Sequence, residues 1–250
     1  MEVKVLSKAF KIIEFIAAKR GDPVLPGEIL KVLEISQPTC VRLLKFLVEL
    51  GYLAQVSRQK GYVLGPLAFW VADGRSYRHE LTATAQPMVR DCAKTLGQSV
   101  LLATRHDDVR VMLCGFDANP GIKLDYGQPF YNDLFLTVTG RILLAHAPEV
   151  ELKKILGRRG VPNYGPWPHE TSEDDFHKEM GRIRSVGRIV GYHQDRGSGA
   201  VPVLQDGVCV ATIGCVWLED DRGREEEFMR VLSETAQRLS SKISQGTIVG

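Results

Sequence analysis

The sequence contains no apolar run that approaches the ~18–20 residues needed to span a bilayer. Its first residues, MEVKVLSKAFKIIEF, lack the apolar core and small-residue cleavage site of a secretory signal peptide. We therefore expect a cytoplasmic protein without a membrane partner. The 250 residues are 44% hydrophobic and 25% charged, which is typical of a globular chain long enough for two domains.

Metal-binding patterns are also missing from the sequence. None of the five cysteines forms a C-x-x-C pair, and the six histidines are dispersed, whereas a zinc site needs grouped ligands. We expect no metal, no cofactor, and reduced thiols that pack as small apolar side chains. Cys209 and Cys215 have the same parity in an apolar run, which predicts that they face the same side of one strand.

The common catalytic motifs are absent too: the chain has no G-x-S-x-G, no G-x-x-x-x-G-K-[ST] and no H-E-x-x-H. Its acidic clusters have structural explanations. HDD at 106–108 is typical of a hairpin turn, EDD at 173–175 of a helix start, and EDDRGREEE at 219–227 of a solvated loop and helix face. We therefore expect a protein that is not an enzyme.

Positive charge is concentrated in the first quarter of the chain. Residues 1–65 hold ten basic and six acidic residues, a net charge of +4, and the remainder holds 22 basic and 24 acidic residues, a net charge of −2. A basic small module joined to a mildly acidic larger one favours a polyanion partner for the first part only.

The same first quarter shows the periodicity of three helices followed by a hairpin. Apolar positions and turn residues predict the helices at 7–19, 28–33 and 37–50 and the strands at 52–56 and 62–64. Ser36 is placed to N-cap the third helix, and Pro38 falls in its first turn, where a missing N–H is tolerated. This order is that of a winged helix-turn-helix.

The third helix has a buried stripe and a polar face. On a helical wheel Cys40, Leu43, Leu44 and Leu47 cluster on one side, and Arg42 and Lys45 lie opposite them. Such a face is either only solvated or reads DNA. Its place as third helix before a basic hairpin tip favours DNA, because arginine binds guanine, glutamine binds adenine, and threonine or valine contacts the thymine methyl group.

From residue 66 onward the pattern changes to α+β. Residues 66–97 read as helical, with an interdomain linker near 73–78. Later runs predict strands (SVLLAT, VRVMLCGF, IKLDY, AVPVL, VCVATIGCVWL) and helices (DLFLTVTGRILLAH, EVELKKIL, TSEDDFHKEMGRIRSVG and residues 224–243). Because these elements do not alternate strictly, we expect a mixed or antiparallel sheet with flanking helices.

Several blocks of the chain, in this order, resemble the IclR-type bacterial transcriptional regulators. They are SKAFKIIEFIA, SQPTCVRLLKFLVELGYL, GYVLGPLAF, AQPMVRDCAKTLGQSVLLAT, TGRILLAH and IRSVG. The resemblance implies a winged helix-turn-helix domain at 1–65, a linker helix at 66–78 used in dimerisation, and a GAF-like domain at 79–250 that binds a small effector. It further implies homodimers or homotetramers on partly palindromic double-stranded DNA operators.

The resemblance also implies site residues. The DNA-facing set is Gln37, Pro38, Thr39, Val41, Arg42 and Lys45, with Arg58 and Lys60 in the wing, and Thr39 and Arg42 are the best supported. The effector-facing set is Val138, Thr139, Ser198, Gly199, Ala200, Gly214 and Val216. Where pyruvate- or glyoxylate-responsive relatives have Ser-x-Ser on the last strand, this chain has Gly214 and Val216. That difference, and the small residues of RGSGAV at 196–201, favour an aromatic or otherwise bulky organic acid.

Two further departures from the family pattern stand out, and two arginines are candidate partners of an effector carboxylate. Glu34 occupies the tight turn where the family often has glycine, so the turn is expected to differ in shape. The segment between Pro129 and Gly140 is about four residues longer than the family pattern. Arg188 or Arg196 would pair with an effector carboxylate, or each is an ordinary surface arginine.

Two other functions remain open on the sequence. One is a metabolite-binding or enzymatic GAF-like protein whose winged helix mediates protein contacts. The other is a degenerate regulator that has no effector.

Overall fold

The computed structural model describes residues 4–57, 59–73, 78–125, 130–167 and 171–245, with the backbone alone for residues 70, 72 and 73. The chain divides into two compact units, and the change from one to the other falls between Tyr77 and Arg78. Within the described ranges, no helix has both the length and the apolar character needed to cross a membrane.

The first unit is a helix-turn-helix followed by a hairpin and a further helix. Its elements are α1 Lys4–Ala18, α2 Pro26–Leu33, α3 Gln37–Glu49, β1 Leu53–Ser57, β2 Gly61–Leu64 and α4 Pro66–Asp73. The apolar stripes of the three helices meet in one core, to which Ile12, Ile29 and Leu44 contribute. The predicted stripe of α3 is confirmed, since Cys40, Leu43, Leu44 and Leu47 are all buried.

The turn between α2 and α3 adopts a left-handed conformation at Glu34. This residue has φ 50° and ψ 41° and caps the end of α2. The expectation of a differently shaped turn was therefore wrong: the backbone keeps the geometry that suits glycine, although a side chain is present. Left-handed geometry costs a non-glycine residue roughly 1–2 kcal/mol, because Cβ approaches the following carbonyl oxygen.

The wing is held to the helices by a short bridge. Val24, in the connection between α1 and α2, exchanges two backbone hydrogen bonds with Tyr62 of β2, each with an N···O distance of 2.9 Å. Gly61 begins β2 with φ +96°, and a Cβ at this position would lie 2.2 Å from the carbonyl oxygen of Val24. Glycine is therefore required here both by its backbone conformation and by the close approach.

The second unit is built on an antiparallel sheet. Six strands of the described residues lie in the order β5-β4-β3-β8-β7-β6, and every pair of neighbours is antiparallel. The strands are β3 Ser99–His106, β4 Val109–Asp117, β5 Phe130–Tyr131, β6 Ile189–His193, β7 Arg196–Gln205 and β8 Val208–Leu218. The α+β expectation is confirmed, and the sheet is antiparallel rather than mixed.

Helices cover both faces of this sheet. α5 His79–Leu96 and α9 Glu225–Gln245 pack on one face, and a 3-10 turn at Glu219–Arg224 leads into α9. α6 Val138–Ala145, α7 Glu149–Arg159 and α8 Glu173–Val186 belong to the core on the other face. We refer to these two sides as the α5/α9 face and the α6 face.

Three predicted elements of the second unit differ from the structure. Residues 122–125 of IKLDY form no strand, and Tyr126 lies outside the described residues; the edge position beside β4 is taken by β5 instead. The helix predicted to begin at Asp133 begins at Val138, because Thr137 caps it. β6 was not predicted, since IVGYH lacks a clear alternation of apolar and polar residues.

A β-bulge in β8 separates two cysteines that were expected to share a face. Val203 pairs with Ala211 but Leu204 pairs with Cys209, so Val210 is an extra residue in the ladder. Cys215 belongs to the core under the α5/α9 face, whereas Cys209 packs against the core of the α6 face. The parity prediction was wrong because one additional residue reverses the alternation of side chains.

Candidate nucleic-acid interface and ligand pocket

The exposed face of α3 collects most of the residues predicted to contact DNA. Its first three turns have no acidic residue, and their exposed side chains are Gln37, Pro38, Val41, Arg42, Lys45 and Phe46. Pro38 fits the first turn because the first N–H groups of a helix have no intrahelical partner. The first two turns are therefore polar and basic apart from Pro38 and Val41, and Phe46 adds an exposed aromatic ring in the third turn.

Thr39 is less available than the sequence indicated. It is half-buried, and its hydroxyl is 2.9 Å from the hydroxyl of Ser36. Ser36 occupies the N-cap position of α3 as predicted, but its side chain accepts no hydrogen bond from the helix backbone. The two hydroxyls bind each other instead, which fixes the side chain of Thr39 at the edge of the face.

Arg42 and Lys45 differ in their surroundings. No acidic side chain of the described residues lies within 4 Å of the guanidinium of Arg42. Lys45 lies 3.8 Å from Glu49, but the two side chains are 79% and 59% exposed. An exposed pair of this kind is worth little and is readily exchanged for another anion. Both cations are therefore available to a phosphate or a base.

The wing presents Lys60 at its tip. The Lys60 side chain is exposed, and its backbone N–H donates to Ser57 Oγ at 3.0 Å, which closes the tip. Arg58, predicted to bind DNA from the same tip, lies outside the described residues.

In the second unit, the start of α6 rests directly on the sheet. Thr137 Oγ1 accepts from the Gly140 N–H at 3.1 Å, so the helix begins with Val138 and Thr139, both buried. A Cβ added at Gly214 would lie 2.5 Å from Thr139 Cγ2. The space left by the missing side chain on β8 is therefore filled by the methyl group of Thr139.

Six of the seven predicted effector residues belong to the α6 face. Ser198 pairs with Val216 and Ala200 with Gly214 across β7 and β8. Gly199 points the other way: a Cβ there would lie 2.3 Å from Met229 Sδ and 3.2 Å from the Trp217 ring. The side chains of Met229 and Trp217 occupy the room over RGSGAV on the α5/α9 face, so that room is not ligand space.

The segment before α6 is anchored by an ion pair that the sequence analysis missed. Arg110 of β4 is almost fully buried and binds the carboxylate of Asp133 through Nε and Nη2, at 2.8 and 2.6 Å. Its guanidinium also lies 4.7 Å from the ring centroid of Tyr131. The available signal was an arginine within the strand run VRVMLCG, where a charged side chain on a covered face needs a partner.

The two arginines considered as carboxylate ligands are engaged at the surface. Arg188 makes two hydrogen bonds of 2.9 Å with the carboxylate of Glu226, which raises the pKa of Arg188. Arg196 lies 3.9 Å from Asp195. These contacts support the interpretation of both as surface arginines.

The acidic clusters at 106–108 and 173–175 have the structural roles that were expected. Asp108 closes the β3–β4 turn and accepts from Arg159 Nε at 2.8 Å, and this hydrogen bond lowers the pKa of Asp108. Asp175 forms a capping box with Ser172 at the start of α8, which lowers its pKa. Within the described ranges, no three His, Cys, Asp or Glu side chains are grouped so as to hold a metal ion.

Comparison with protein families finds two matching models. Residues 76–244 match the model described as "Bacterial transcriptional regulator IclR C-terminal", and residues 5–57 match the "IclR helix-turn-helix domain". Together they cover both units of the chain.

Two curated Escherichia coli proteins are similar in sequence. The HTH-type transcriptional regulator KdgR is 23% identical over 252 residues, which is 96% of this chain and 93% of KdgR. The transcriptional repressor IclR is 22% identical over 165 residues, or 65% of this chain, and the match spans only 60% of that repressor.

Solved structures show the same fold. An IclR homolog from Microbacterium hydrocarbonoxydans, complexed with 4-hydroxybenzoate, has a TM-score of 0.77 at 18% identity, with 97% of this chain and 100% of the other covered. The Thermotoga maritima IclR has a TM-score of 0.73 at 24% identity, with the same coverage of both chains.

Proposed function

The chain belongs to the IclR family of bacterial transcriptional regulators, and from this premise we propose that it binds specific DNA through α3 and the wing under the control of a small organic acid. The main observation that supports specific DNA binding is the character of the exposed surface of α3. Arg42 is exposed and unpaired among the described residues, and no acid precedes Glu49 on the helix.

In this proposal the N-terminal half of α3 enters the major groove and the wing contacts the phosphates. Arg42 binds a guanine, Gln37 binds an adenine, and Lys45 and Lys60 bind phosphates, as does Arg58. Pro38 and Val41 provide apolar contacts, and Thr39 lies at the edge of the interface. Because phosphate contacts release counterions, affinity should fall steeply as the salt concentration rises.

For the effector we propose an aromatic or otherwise bulky carboxylic acid. Val138, Thr139, Ser198, Ala200 and Val216 provide its surroundings on the α6 face, where the methyl group of Thr139 fills the space above Gly214. Half-buried Val216 lies opposite Ser198, where a ring would find one apolar and one polar neighbour. The 4-hydroxybenzoate bound by the Microbacterium homolog gives a first compound to test. Gly199 is not part of this site, because its position faces Met229 of α9.

Self-association is also part of the proposal. α1 and α4 expose large apolar side chains, which in a stable monomer would remain in contact with water: Val5, Leu6, Phe10, Phe69 and Val71 are each at least half exposed. We propose that a homodimer or homotetramer covers them, that the protein is cytoplasmic, and that it catalyses no reaction.

The test is a DNA-binding titration with the full-length protein. The DNA upstream of its own gene and a scrambled duplex are compared at several salt concentrations, with and without 4-hydroxybenzoate, benzoate and pyruvate. A specific shift that an aromatic acid changes and pyruvate does not would support the proposal. A shift that no acid changes, together with no change in melting temperature, would contradict the effector part. Absence of any specific shift would contradict the DNA part.

A further inference from the structure

Apart from Pro38, Val41 is the one exposed apolar side chain among the described residues of the N-terminal half of α3. It is 55% exposed and belongs to no part of the apolar core of the first unit. Its neighbours one turn away are Gln37 and Lys45, and Arg42 follows it in the chain. An exposed valine is unremarkable by itself, so its position and chemistry have to decide its role.

The position of Val41 is that of a base-reading side chain. In a helix-turn-helix the first turns of the second helix contact base edges. Val41 lies in the second turn of α3, between the residues proposed for adenine and guanine. A polar residue would serve solubility better here, and the other exposed residues of these turns, apart from Pro38, are polar.

The chemistry of Val41 narrows the choice of base. The thymine C5-methyl group is the apolar feature that base pairs present in the major groove, and the other groups there are hydrogen-bond donors or acceptors. Valine has neither, so placing it against cytosine N4, adenine N6 or guanine O6 would bury a polar group without a partner. Its β-branched side chain also holds one dominant rotamer in a helix, so little freedom is lost on contact.

Thr39, the other residue considered for a thymine contact, is less suited to it. Its hydroxyl is bound to Ser36 at 2.9 Å and its side chain is half-buried. Val41 has no such constraint.

We propose that Val41 contacts the methyl group of one thymine in each half-site of the operator. The inference rests on the proposed DNA-binding function and adds to it the base that this position selects. It makes Val41 a residue that determines specificity, whereas Lys45 and Lys60 supply affinity for any sequence.

The experiment replaces thymines by deoxyuridine, which differs only in lacking the methyl group. An operator is first selected from a random duplex library with the full-length protein, and each thymine is then substituted in turn. One position per half-site should weaken binding about fourfold, the equivalent of one buried methyl group at about 0.8 kcal/mol. With Val41→Ala, the same substitution should have little further effect.

Val32→Ala is the matched control. Val32 lies on α2 of the same unit and is 58% exposed, so its truncation removes the same atoms from an equally open position. It should leave the deoxyuridine effect at its wild-type size. Circular dichroism melts should show both variants folded, because neither side chain is buried.

The possible results distinguish the role of Val41 from specific DNA binding as a whole. The role of Val41 would be overturned if deoxyuridine were tolerated at every position of the enriched operator. It would also be overturned if deoxyuridine weakened the binding of Val41→Ala as much as that of the wild type. DNA binding itself would stand in both cases. An enriched operator without thymine in its half-sites would likewise overturn the role of Val41 and leave DNA binding intact. Failure to enrich any sequence would instead refute specific DNA binding, and the role of Val41 with it.

Discussion

The methyl group of Thr139 stands over Gly214: a Cβ on that glycine would lie 2.5 Å from Thr139 Cγ2. This contact changes how the absence of a side chain at Gly214 is interpreted. In the sequence, Gly214 indicated space for a larger ligand, but in the structure the Thr139 side chain of α6 occupies that space. In the proposed effector site, we therefore expect the size of the ligand to be limited more by Val216 than by Gly214.

Gly214→Ser should destabilise the second unit by about 1–3 kcal/mol, because Thr139 is buried and β-branched and has little freedom to yield. Shortening the neighbour in the double variant Gly214→Ser/Thr139→Ser should recover most of the loss. Urea denaturation measures both, and Val216→Ser, at a half-buried position of the same strand, serves as the control. Equal instability of the single and double variants would show that the contact is not the cause.

Asp133→Ala should lower the free energy of unfolding by about 3 kcal/mol, because it leaves the buried guanidinium of Arg110 without its counterion. Replacing both partners, as Arg110→Met/Asp133→Ala, should cost less than the single change, since no buried charge remains. A double-mutant cycle in urea quantifies the pair. Additive losses would contradict a direct coupling between the two side chains.

Glu34→Gly should stabilise the protein by up to about 1 kcal/mol. Relief of the left-handed strain, roughly 1–2 kcal/mol, is partly offset by the greater freedom of glycine in the unfolded chain. Lys31→Gly, an exposed position inside α2, should instead destabilise by about 1 kcal/mol. Thermal melts distinguish the two signs, and a loss of stability with Glu34→Gly would mean that the side chain contributes more than its backbone strain removes.

Asp108 should make the free energy of unfolding depend on pH. Its pKa is lowered in the folded protein by the hydrogen bond from Arg159, so the contribution is present above the unfolded-state pKa near 3.8 and is lost as the pH falls through the lower folded value. The difference in stability between wild type and Asp108→Asn should therefore be constant near pH 7 and shrink below about pH 4. Arg159→Gln should remove most of the same component, with a remainder from Arg158; an unchanged component would mean that another group is responsible.

Arg42→Ala should weaken binding to the selected operator by about tenfold or more and binding to random duplex much less, because a guanine contact is worth about 1–3 kcal/mol. Lys60→Ala should weaken both to a similar extent and reduce the salt dependence by about one phosphate contact. Fluorescence anisotropy at three salt concentrations measures all four combinations. Equal losses on both duplexes with Arg42→Ala would make Arg42 a phosphate contact.

The parts of the fold that were predictable from sequence are those in which local pattern and burial agree. The stripe of α3 followed from a period of 3.6 residues, and the start of α8 followed from the acid-rich run TSEDD. The side of the sheet that Cys209 faces was not predictable, because the bulge at Val210 is set by pairing with β7 and leaves no mark in β8 itself. The start of α6 was placed too early for a similar reason: Asp133–Leu136 are helix-compatible, but Arg110 holds Asp133 outside the helix.

Only part of the candidate DNA and effector sites was predictable from the sequence. The residue types on the face of α3 and their order along the chain could be inferred, because exposure follows directly from the helical period. The binding of Ser36 to Thr39 could not, since both hydroxyls have several acceptors within reach of a cap. The direction of Gly199 could have been found by counting alternate residues from Val201, which packs on the α5/α9 face.

The two hydrogen bonds between Val24 and Tyr62 have a consequence for how the first unit meets a duplex. They join the entry to α2 with the second strand of the wing, so the distance from the tip at Lys60 to the start of α3 is a property of the chain and not of the DNA. A substitution at Gly61 would displace this strand and alter that distance without removing any side chain that touches DNA. In the proposed complex with DNA, the spacing between the wing and α3 would therefore depend on a glycine that packs against the backbone of Val24.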